Sequence, residues 1–291
     1  DYLAEDEMDA LRICREVVSH LNWTKKGLEP TYNASDPEYD KDEILGILSE
    51  DLKSAVDIKE IIARFVDGSK FEEFKPLYGS SLVCGWSTVH GYQVGILGNN
   101  GPIYPESAEK GASFIQLCNK RNIPLIFLHN VTGFLVGKDF ERQGIIKKGS
   151  QLINAVSNSM VPHITFIVGA SYGAGTYAMS GKAFNNRFTF LWPTAKIAVM
   201  GPEQMAGVMS IVRKAKAKRD GKKFDVKADK QLQEMVIDFL EKLSHGLVAS
   251  SMLTDDGIID PRDTRDIIGF CLSVVNNEII EGAKEYGVFR L

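Results

Sequence analysis

Residues 163–181, HITFIVGASYGAGTYAMSG, decide the predicted fold. The run 163–168 is apolar and β-branched, as a buried strand is, and Gly169, Gly173 and Gly175 follow it in a loop. A short helix is predicted to begin at once, over 173–181. The stretch is therefore one unit of strand, glycine loop and helix, and the neighbouring parts of the chain repeat that unit in kind.

Outward from this stretch, apolar runs alternate with helical patterns. The predicted strands end at Gly98, Asn130, Gly169 and Gly201, and the predicted helices occupy roughly 106–121, 140–160, 173–181 and 202–218. Upstream of them, 82–89 and 92–97 predict a β-hairpin around His90-Gly91. Because parallel strands need crossover connections, this alternation predicts the α/β class.

The start of the chain differs from the rest. Within residues 1–27, Met8, Leu11, Val18 and Leu21 recur at helical spacing, which predicts an amphipathic helix that needs a partner surface. Residues 28–42 are polar, acidic and interrupted by prolines, as exposed linkers are. We therefore expect a helix from a preceding domain, a linker, and one domain over 43–291. The chain has no initiator Met, which fits an incomplete piece of a longer protein.

Composition excludes several classes of protein. The 291 residues carry a formal net charge of −4, which gives no general attraction to nucleic acid or to anionic membranes. The sequence has no apolar stretch near the roughly 20 residues of a membrane span. The four cysteines form no Cys-x-x-Cys pair, which argues against zinc ribbons and disulfide scaffolds and predicts reduced thiols.

The loop at 168–181 could carry chemistry. The first amides of a helix lack partners within it and can donate to an anion or a developing negative charge, as in an oxyanion hole. Plain packing of helix on strand explains the glycines equally well. The spacing fits neither the dinucleotide fingerprint nor a phosphate-binding loop. A serine hydrolase would use Ser171, with His245 as the only later histidine.

Other polar residues give weaker signals. His20, His90, His129 and His163 show no metal-ligand spacing, so we expect no metal site, and a lone histidine such as His129 at a strand end is typically hydrogen-bonded and structural. Six basic residues lie within 214–223, which suits a phosphate patch or a solvated helix end. No aromatic residues interleave with them, which favours the helix end.

An ordered set of motifs runs through the chain. Its members are Asn99-Asn-Gly101, Glu106-Ser-Ala-Glu-Lys-Gly111, Arg121-Asn-Ile-Pro-Leu125, Thr132-Gly-Phe-Leu-Val-Gly137, Ser171-Tyr-Gly-Ala-Gly175, Trp192-Pro193, Val199-Met-Gly201 and Asp255-Asp-Gly-Ile-Ile-Asp-Pro261. Together they resemble the carboxyltransferase (β) subunit of biotin-dependent acyl-CoA carboxylases, and most of all its methylcrotonoyl-CoA branch.

This resemblance implies a crotonase (ClpP-like) β-β-α superhelix and two homologous domains per subunit. Residues 1–27 then resemble the last helix of the N-terminal domain, and residues 43–291 resemble the C-terminal domain. In the family, the C-terminal domain holds carboxybiotin. Sites in the family lie between the N-terminal domain of one β subunit and the C-terminal domain of another, within a hexamer. The implied partner is an α subunit that carries biotin and uses ATP, Mg and bicarbonate. The compartment would be the mitochondrial matrix in a eukaryote and the cytoplasm in a bacterium. The chain alone would lack the acyl-CoA half of the site.

The resemblance also assigns roles to residues. The amides of Ala174 and Gly175 would form an oxyanion hole for biotin, with Gly173 shaping the turn. Since biotin itself would supply the base, the family needs no catalytic His, Asp or Cys. Gly133 and Phe134 match the loop that lines the biotin pocket.

Substrate choice is a separate matter. Tyr177 is a candidate for the acyl-chain pocket, with core packing as the alternative. Residues 170–177 and the basic segment before Phe224 resemble the methylcrotonoyl and geranoyl branch rather than the propionyl branch. We therefore expect 3-methylcrotonoyl-CoA, an intermediate of leucine degradation, as the substrate. Thr176 and Pro202 depart from that branch, which usually has Asn and Gly there, and they leave geranoyl-CoA or another acyl-CoA open.

Two alternatives come from other classes of protein. A hydratase of the same fold would need a glutamate that faces the acyl group, but Glu106 and Glu203 suit first turns of helices. A non-catalytic assembly scaffold would have no reason to keep small residues at 173–175.

Overall fold

The computed structural model describes residues 2–47, 56–184 and 186–287. The longer helices are α1 Glu7–Ser19, α2 Ile44–Ile47, α3 Ile58–Ala63, α4 Pro105–Lys120, α5 Lys138–Arg142, α6 Ile145–Ser157, α7 Ala174–Ala178, α8 Pro202–Arg219, α9 Val226–Ser244, α10 Gly246–Ser251 and α11 Thr264–Val275. The strands are β1 Glu72–Glu73, β2 Leu82–Val89, β3 Tyr92–Asn99, β4 Leu125–Val131, β5 His163–Tyr172, β6 Phe188–Leu191 and β7 Lys196–Ala198. Residues 1, 48–55, 185 and 288–291 lie outside the described residues. The predictions for 1–27 and 43–291 are therefore compared with the structure without them.

These strands form one mixed sheet in the order β1-β2-β3-β4-β5-β6, and β7 also pairs with β5. Strands β1 to β3 are antiparallel, and β3 to β6 are parallel, with helices between them. The α/β prediction is therefore confirmed. The hairpin of β2 and β3 is also confirmed, and its two-residue turn, His90-Gly91, has φ of 49° and 78°, as a type I′ turn requires.

The sheet is buried on both faces. One face packs against α3 and α11 through residues such as Ile96, Leu128 and Trp192. The opposite face packs against α4 and α6 through residues such as Leu97 and Phe127. Burial on both faces explains why the parallel strands read as nearly continuous apolar runs rather than as alternating ones.

Two predicted elements have different limits in the structure. The helix predicted at 140–160 is divided into α5 and α6, because Gly144 lies in the left-handed region with φ 87°. The strand predicted to end at Gly169 continues to Tyr172, so α7 is only five residues long. The extra strand residues pair with β7, a tertiary contact that local patterns do not contain.

The edge of the sheet beyond β5 was incompletely predicted. The sequence indicated a strand that ends at Gly201, and the structure has a three-residue strand, β7, that ends at Ala198. It also has β6, which was not predicted and which continues the sheet parallel to β5. The helices predicted at 106–121 and 202–218 are confirmed as α4 and α8.

The linker, residues 28–42, lies along the surface and is bonded to the body of the protein. The N–H of Tyr32 donates to the Gly91 carbonyl at 3.2 Å, and Arg265 donates to the Ser35 carbonyl at 2.9 Å. Just before the linker, the N–H of Lys26 donates to the Asn277 carbonyl at 3.0 Å. Helix α1, in contrast, has no buried residue.

Within the part of the chain that the structure describes, no helix combines the length and the apolar character that crossing a bilayer requires.

Candidate functional site

The turn between β5 and α7 depends on Gly173. This residue has φ 54° and ψ −133°, and its N–H donates to the Ala198 carbonyl at 2.9 Å. A Cβ at this position would lie 2.8 Å from the Val199 carbonyl oxygen. A larger residue would therefore be strained and would also displace the chain after β7.

Gly175 lets α7 approach the loop that follows β4. A Cβ here would lie 2.9 Å from Val131 Cγ2 and 3.3 Å from the Cα of Gly133. The loop is itself fixed by Ile103, whose N–H donates to the Gly133 carbonyl at 3.0 Å and whose carbonyl accepts from Leu135 at 3.1 Å. The helix and the loop therefore form one packed unit.

The first two amides of α7, those of Ala174 and Gly175, are not used by the fold. The N–H of Thr176 donates to the Gly173 carbonyl at 3.2 Å. Within the described residues, the amides of Ala174 and Gly175 have no hydrogen-bond acceptor. Ala174 is exposed and Gly175 is buried. Two donors at the positive end of a helix are thus available to a negatively charged oxygen.

An apolar cleft adjoins these amides, with a volume of about 380 Å³. It lies between the loop after β4 and the helices α5, α6 and α7. Its lining residues are Phe134, Leu135, Val136, Glu141, Ile145, Ile146, Gly149, Ser150, Ile153 and Ala174. Of the residues assigned from the resemblance, Phe134 and Ala174 line this cleft, and Gly175 packs against Gly133 beside it. Gly173 forms the turn before Ala174.

Tyr177 does not line the Phe134 cleft. It is 48% exposed, and its ring meets Phe184 edge to face, with 5.8 Å between the ring centroids. The alternative of core packing is therefore wrong for this residue. Its role toward an acyl chain stays a prediction.

A buried hydrogen-bond chain lies beneath α7. The imidazole of His129 in β4 is fully buried, with Nε2 2.6 Å from the Met179 carbonyl oxygen and Nδ1 2.9 Å from Ser171 Oγ. Ser171 Oγ in turn lies 2.9 Å from Thr176 Oγ1. Burial lowers the pKa of His129 to about 4, more than the Met179 contact raises it, so the ring is neutral near pH 7.

This arrangement does not support the serine-hydrolase alternative. Ser171 is fully buried, and its hydroxyl contacts His129 and Thr176 rather than His245. His245 instead caps α10, where its Nδ1 accepts from the N–H of Leu247 at 3.3 Å. The pairing of Ser171 with His129 was not predicted from the sequence. Both residues lie near the carboxyl ends of predicted parallel strands, which was the available signal.

A second buried histidine holds Ser180, two residues after the end of α7. His163 Nδ1 lies 2.7 Å from Ser180 Oγ, and its Nε2 lies 2.7 Å from Ser159 Oγ. Burial lowers the pKa of His163 to about 4. The Ser180 carbonyl accepts from Thr165 Oγ1 and from Asn186 Nδ2. Both ends of the short helix are thus bonded to the sheet.

The remaining candidates have simpler explanations. The basic segment forms the exposed end of α8 and the turn after it, and Arg213 pairs with Asp229 of α9 at 2.8 Å. Glu106 and Glu203 lie in the first turns of α4 and α8. Over 2–47, 56–184 and 186–287, no three His, Cys, Asp or Glu residues are grouped so that they could hold a metal ion.

A family model described as "Carboxyl transferase domain" matches residues 1–288. The chain belongs to the carboxyl transferase family. Among its relatives, the "Probable biotin-dependent acyl-coenzyme A carboxylase beta2 subunit" of Mycobacterium tuberculosis is 53% identical over 292 residues, which cover 100% of this chain and 55% of the relative. The "Methylcrotonoyl-CoA carboxylase beta chain, mitochondrial" of Dictyostelium discoideum is 44% identical, with 100% and 50% covered.

The carboxyl transferase fold is also found among solved structures. The β subunit of the geranyl-CoA carboxylase of P. aeruginosa matches with a TM-score of 0.85 and 41% identity, over 100% of this chain and 55% of that one. The expected crotonase-like fold of carboxyltransferase β subunits is thereby confirmed. The chain spans about half the length of the curated relatives it matches.

Proposed function

We propose that this carboxyl transferase domain forms the biotin side of a site that moves a carboxyl group to an acyl-CoA. The observation that carries the proposal is the pair of unbonded amides at Ala174 and Gly175 beside the cleft of Phe134. Biotin, held covalently by a partner subunit, supplies the carboxyl group. No metal bound by this chain is part of the proposal.

The cleft suits the chemistry of biotin. Its lining is mostly apolar, as the sulfur-containing ring and aliphatic chain of biotin require, and the two amides at its edge can donate to the ureido oxygen. Because Gly173 and Gly175 fix the turn, these donors need little reorganisation when negative charge develops. Phe134 lines the cleft with an apolar ring, and an apolar wall keeps water from such hydrogen bonds and so strengthens them.

We propose 3-methylcrotonoyl-CoA as the acyl substrate. The identity of 44% with the Dictyostelium chain named for that substrate supports this choice. Residues 170–177 resemble the methylcrotonoyl and geranoyl branch rather than the propionyl branch. Geranoyl-CoA is the second candidate, because the geranyl-CoA carboxylase subunit of P. aeruginosa shares 41% identity over the whole chain. Propionyl-CoA is a third candidate from the same family.

A carboxylation assay tests both the activity and the substrate. The complete β protein is assembled with its biotinylated α partner and supplied with ATP, Mg²⁺ and labelled bicarbonate. We expect incorporation of label into acid-stable product with the highest kcat/KM for 3-methylcrotonoyl-CoA, compared with geranoyl- and propionyl-CoA. Absence of turnover with all three substrates contradicts the proposed function, and a preference for another of them corrects the substrate.

The partners follow from the same proposal. An α subunit would carry biotin and consume ATP, Mg²⁺ and bicarbonate, and several β subunits, in a hexamer, would complete one another's sites. The relatives named above are themselves called β subunits or β chains. We propose the mitochondrial matrix as the compartment in a eukaryote and the cytoplasm in a bacterium. The name of the Dictyostelium relative includes the word mitochondrial, which supports the first of these.

Residues 1–27 are proposed to form the last helix of a preceding domain, with 43–291 as the biotin-side domain. In α1, the apolar residues Met8, Leu11 and Val18 are 54–73% exposed on one face. A face of this kind is stable in water only when another surface covers it.

The proposed docking of α1 predicts a loss of stability for Leu11→Glu in the complete protein. Burying a charge where leucine packs should cost about 2 kcal/mol or more, and the melting temperature should fall by several degrees. Glu16→Gln changes the charge by one unit at an exposed position about 140° around α1 from Leu11, and it is the matched control. Equal melting temperatures for the two variants would count against a covered face.

A further inference from the structure

Helix α7 is too short to hold its own orientation. It has five residues, fewer than an isolated helix needs in water, and only Gly175 and Ala178 among them are buried. Neither residue provides a large apolar side chain that could anchor the helix. Packing on the loop after β4 constrains one side of α7. Hydrogen bonds must therefore fix the remaining freedom of the helix to rotate and shift.

The bonds that do so converge on His129. This imidazole reaches the Met179 carbonyl, just after α7, and through Ser171 it reaches Thr176, in the middle of α7. A carbonyl oxygen only accepts, so Nε2 carries the proton and Nδ1 accepts from the Ser171 hydroxyl. Ser171 Oγ then accepts from the Thr176 hydroxyl. The hydrogen bonds therefore all run in one direction, from the Thr176 hydroxyl to the Met179 carbonyl. They tie α7 to β4 at these two residues.

A register shift in the sheet makes this contact possible. His129 pairs with Ile167, but Val131, two residues later, pairs with Ser171, four residues later on β5. The irregularity lies between His129 and Val131, just before the loop that carries Gly133 and Phe134. Irregularities of this kind commonly re-aim side chains beside functional sites.

We propose that His129 and Ser171 are positioning residues that aim the amides of Ala174 and Gly175 at the biotin side of the site. The inference rests on the proposed function for what those amides bind. His129 and Ser171 act through α7 and do not touch the reacting atoms.

Hydrogen exchange in the complete β protein, without its biotinylated partner, tests the positioning directly. Ser171→Ala and Thr176→Val each break the hydrogen-bond chain, and the bonded amides of Thr176, Met179 and Ser180 should exchange roughly tenfold faster. Thr176→Ser keeps the hydroxyl and should match the wild type, whereas Thr176→Val keeps the methyl group. His129→Phe removes both histidine bonds and should have the largest effect. Should it fail to fold, the hydroxyl variants still decide the question.

Three results of this experiment overturn the inference. They are unchanged exchange in Ser171→Ala and Thr176→Val, equal behaviour of Thr176→Ser and Thr176→Val, and faster exchange in α4 as well as in α7. The last of these would indicate general destabilisation rather than a local role.

Kinetics of the assembled complex give a second readout. We expect kcat to fall about three- to tenfold in Ser171→Ala and Thr176→Val, with the KM for the acyl-CoA unchanged, because the amides face biotin. An unchanged kcat, or a matching rise in the acyl-CoA KM, overturns the inference. If the wild-type complex turns over no acyl-CoA, the proposed function fails, and hydrogen exchange still judges the role of His129 and Ser171 in holding α7.

Discussion

Replacing Ala174 by proline should lower turnover of the assembled complex by about a hundredfold or more. Proline has no N–H, so the substitution deletes one of the two amides proposed to stabilise negative charge. Its fixed φ suits the first residue of a helix, which is the position of Ala174, and the side chain there is exposed. Helix α7 should therefore still form. The measurement is kcat for acyl-CoA-dependent carboxylation.

Ala174→Ser is the matched control for this experiment. Serine keeps the backbone N–H at an exposed position, so kcat should stay within a few-fold of the wild type. Circular dichroism and hydrogen exchange of α7 establish that both variants are folded. A folded Ala174→Pro protein with near-wild-type kcat would refute the assignment of the oxyanion hole.

Acid should destabilise this domain well above the pH at which most carboxylates titrate. Burial lowers the pKa values of His129 and His163 from 6.5 to about 4. Between these values the unfolded chain binds protons that the folded chain does not. The free energy of unfolding should therefore be highest above pH 6.5 and fall toward pH 4, by up to about 1.4 kcal/mol per pH unit for each histidine.

Urea unfolding at several pH values between 4.5 and 7.5 measures this slope. His163→Gln and His129→Gln each remove one titrating group from both states, so each should reduce the slope by up to half of the histidine contribution. NMR titration of the histidine ring protons in the folded wild type provides a check that requires no variant. Ring signals of His129 or His163 that titrate near pH 6.5 would contradict the prediction.

Local patterns were sufficient for the elements whose limits are set locally. The His90-Gly91 turn has the left-handed backbone that its residues favour, and α4 and α8 begin at Pro105 and Pro202, where a missing N–H costs nothing. The α/β class followed from the alternation of strands and helices. None of these features depends on residues far away in the sequence.

Elements set by distant contacts were predicted less well. Strand β5 extends to Tyr172 because β7 pairs with its last residues, and α7 is shortened accordingly. Strand β6 has only four residues, and its pairing with β5 defines it more than its own pattern does. In strands that are buried on both faces of the sheet, apolar and polar residues do not alternate. The sequence therefore has no change of pattern that would mark where such a strand ends.

The candidate site shows the same division. Free amides after β5 could be expected from the order of strand, glycine loop and helix, because every helix leaves its first donors unbonded. For the pairing of His129 with Ser171, the sequence places both residues near the carboxyl ends of parallel strands but does not give the contact itself. The contact depends on a register shift between β4 and β5. The position of Phe134 beside Ala174 likewise depends on how α6 and the loop after β4 pack.

The contacts of the linker shorten the tether of α1. A flexible coil of the length of residues 20–42 would have an end-to-end distance of about 26 Å, whereas one of the length of 20–25 would have about 13 Å. The bond from Lys26 to Asn277 leaves only the shorter segment between α1 and the body of the domain. The volume that α1 can search is thereby reduced about sevenfold, so its effective concentration at a surface within reach rises by the same factor. A partner surface would thus gain affinity for α1 without any additional contact.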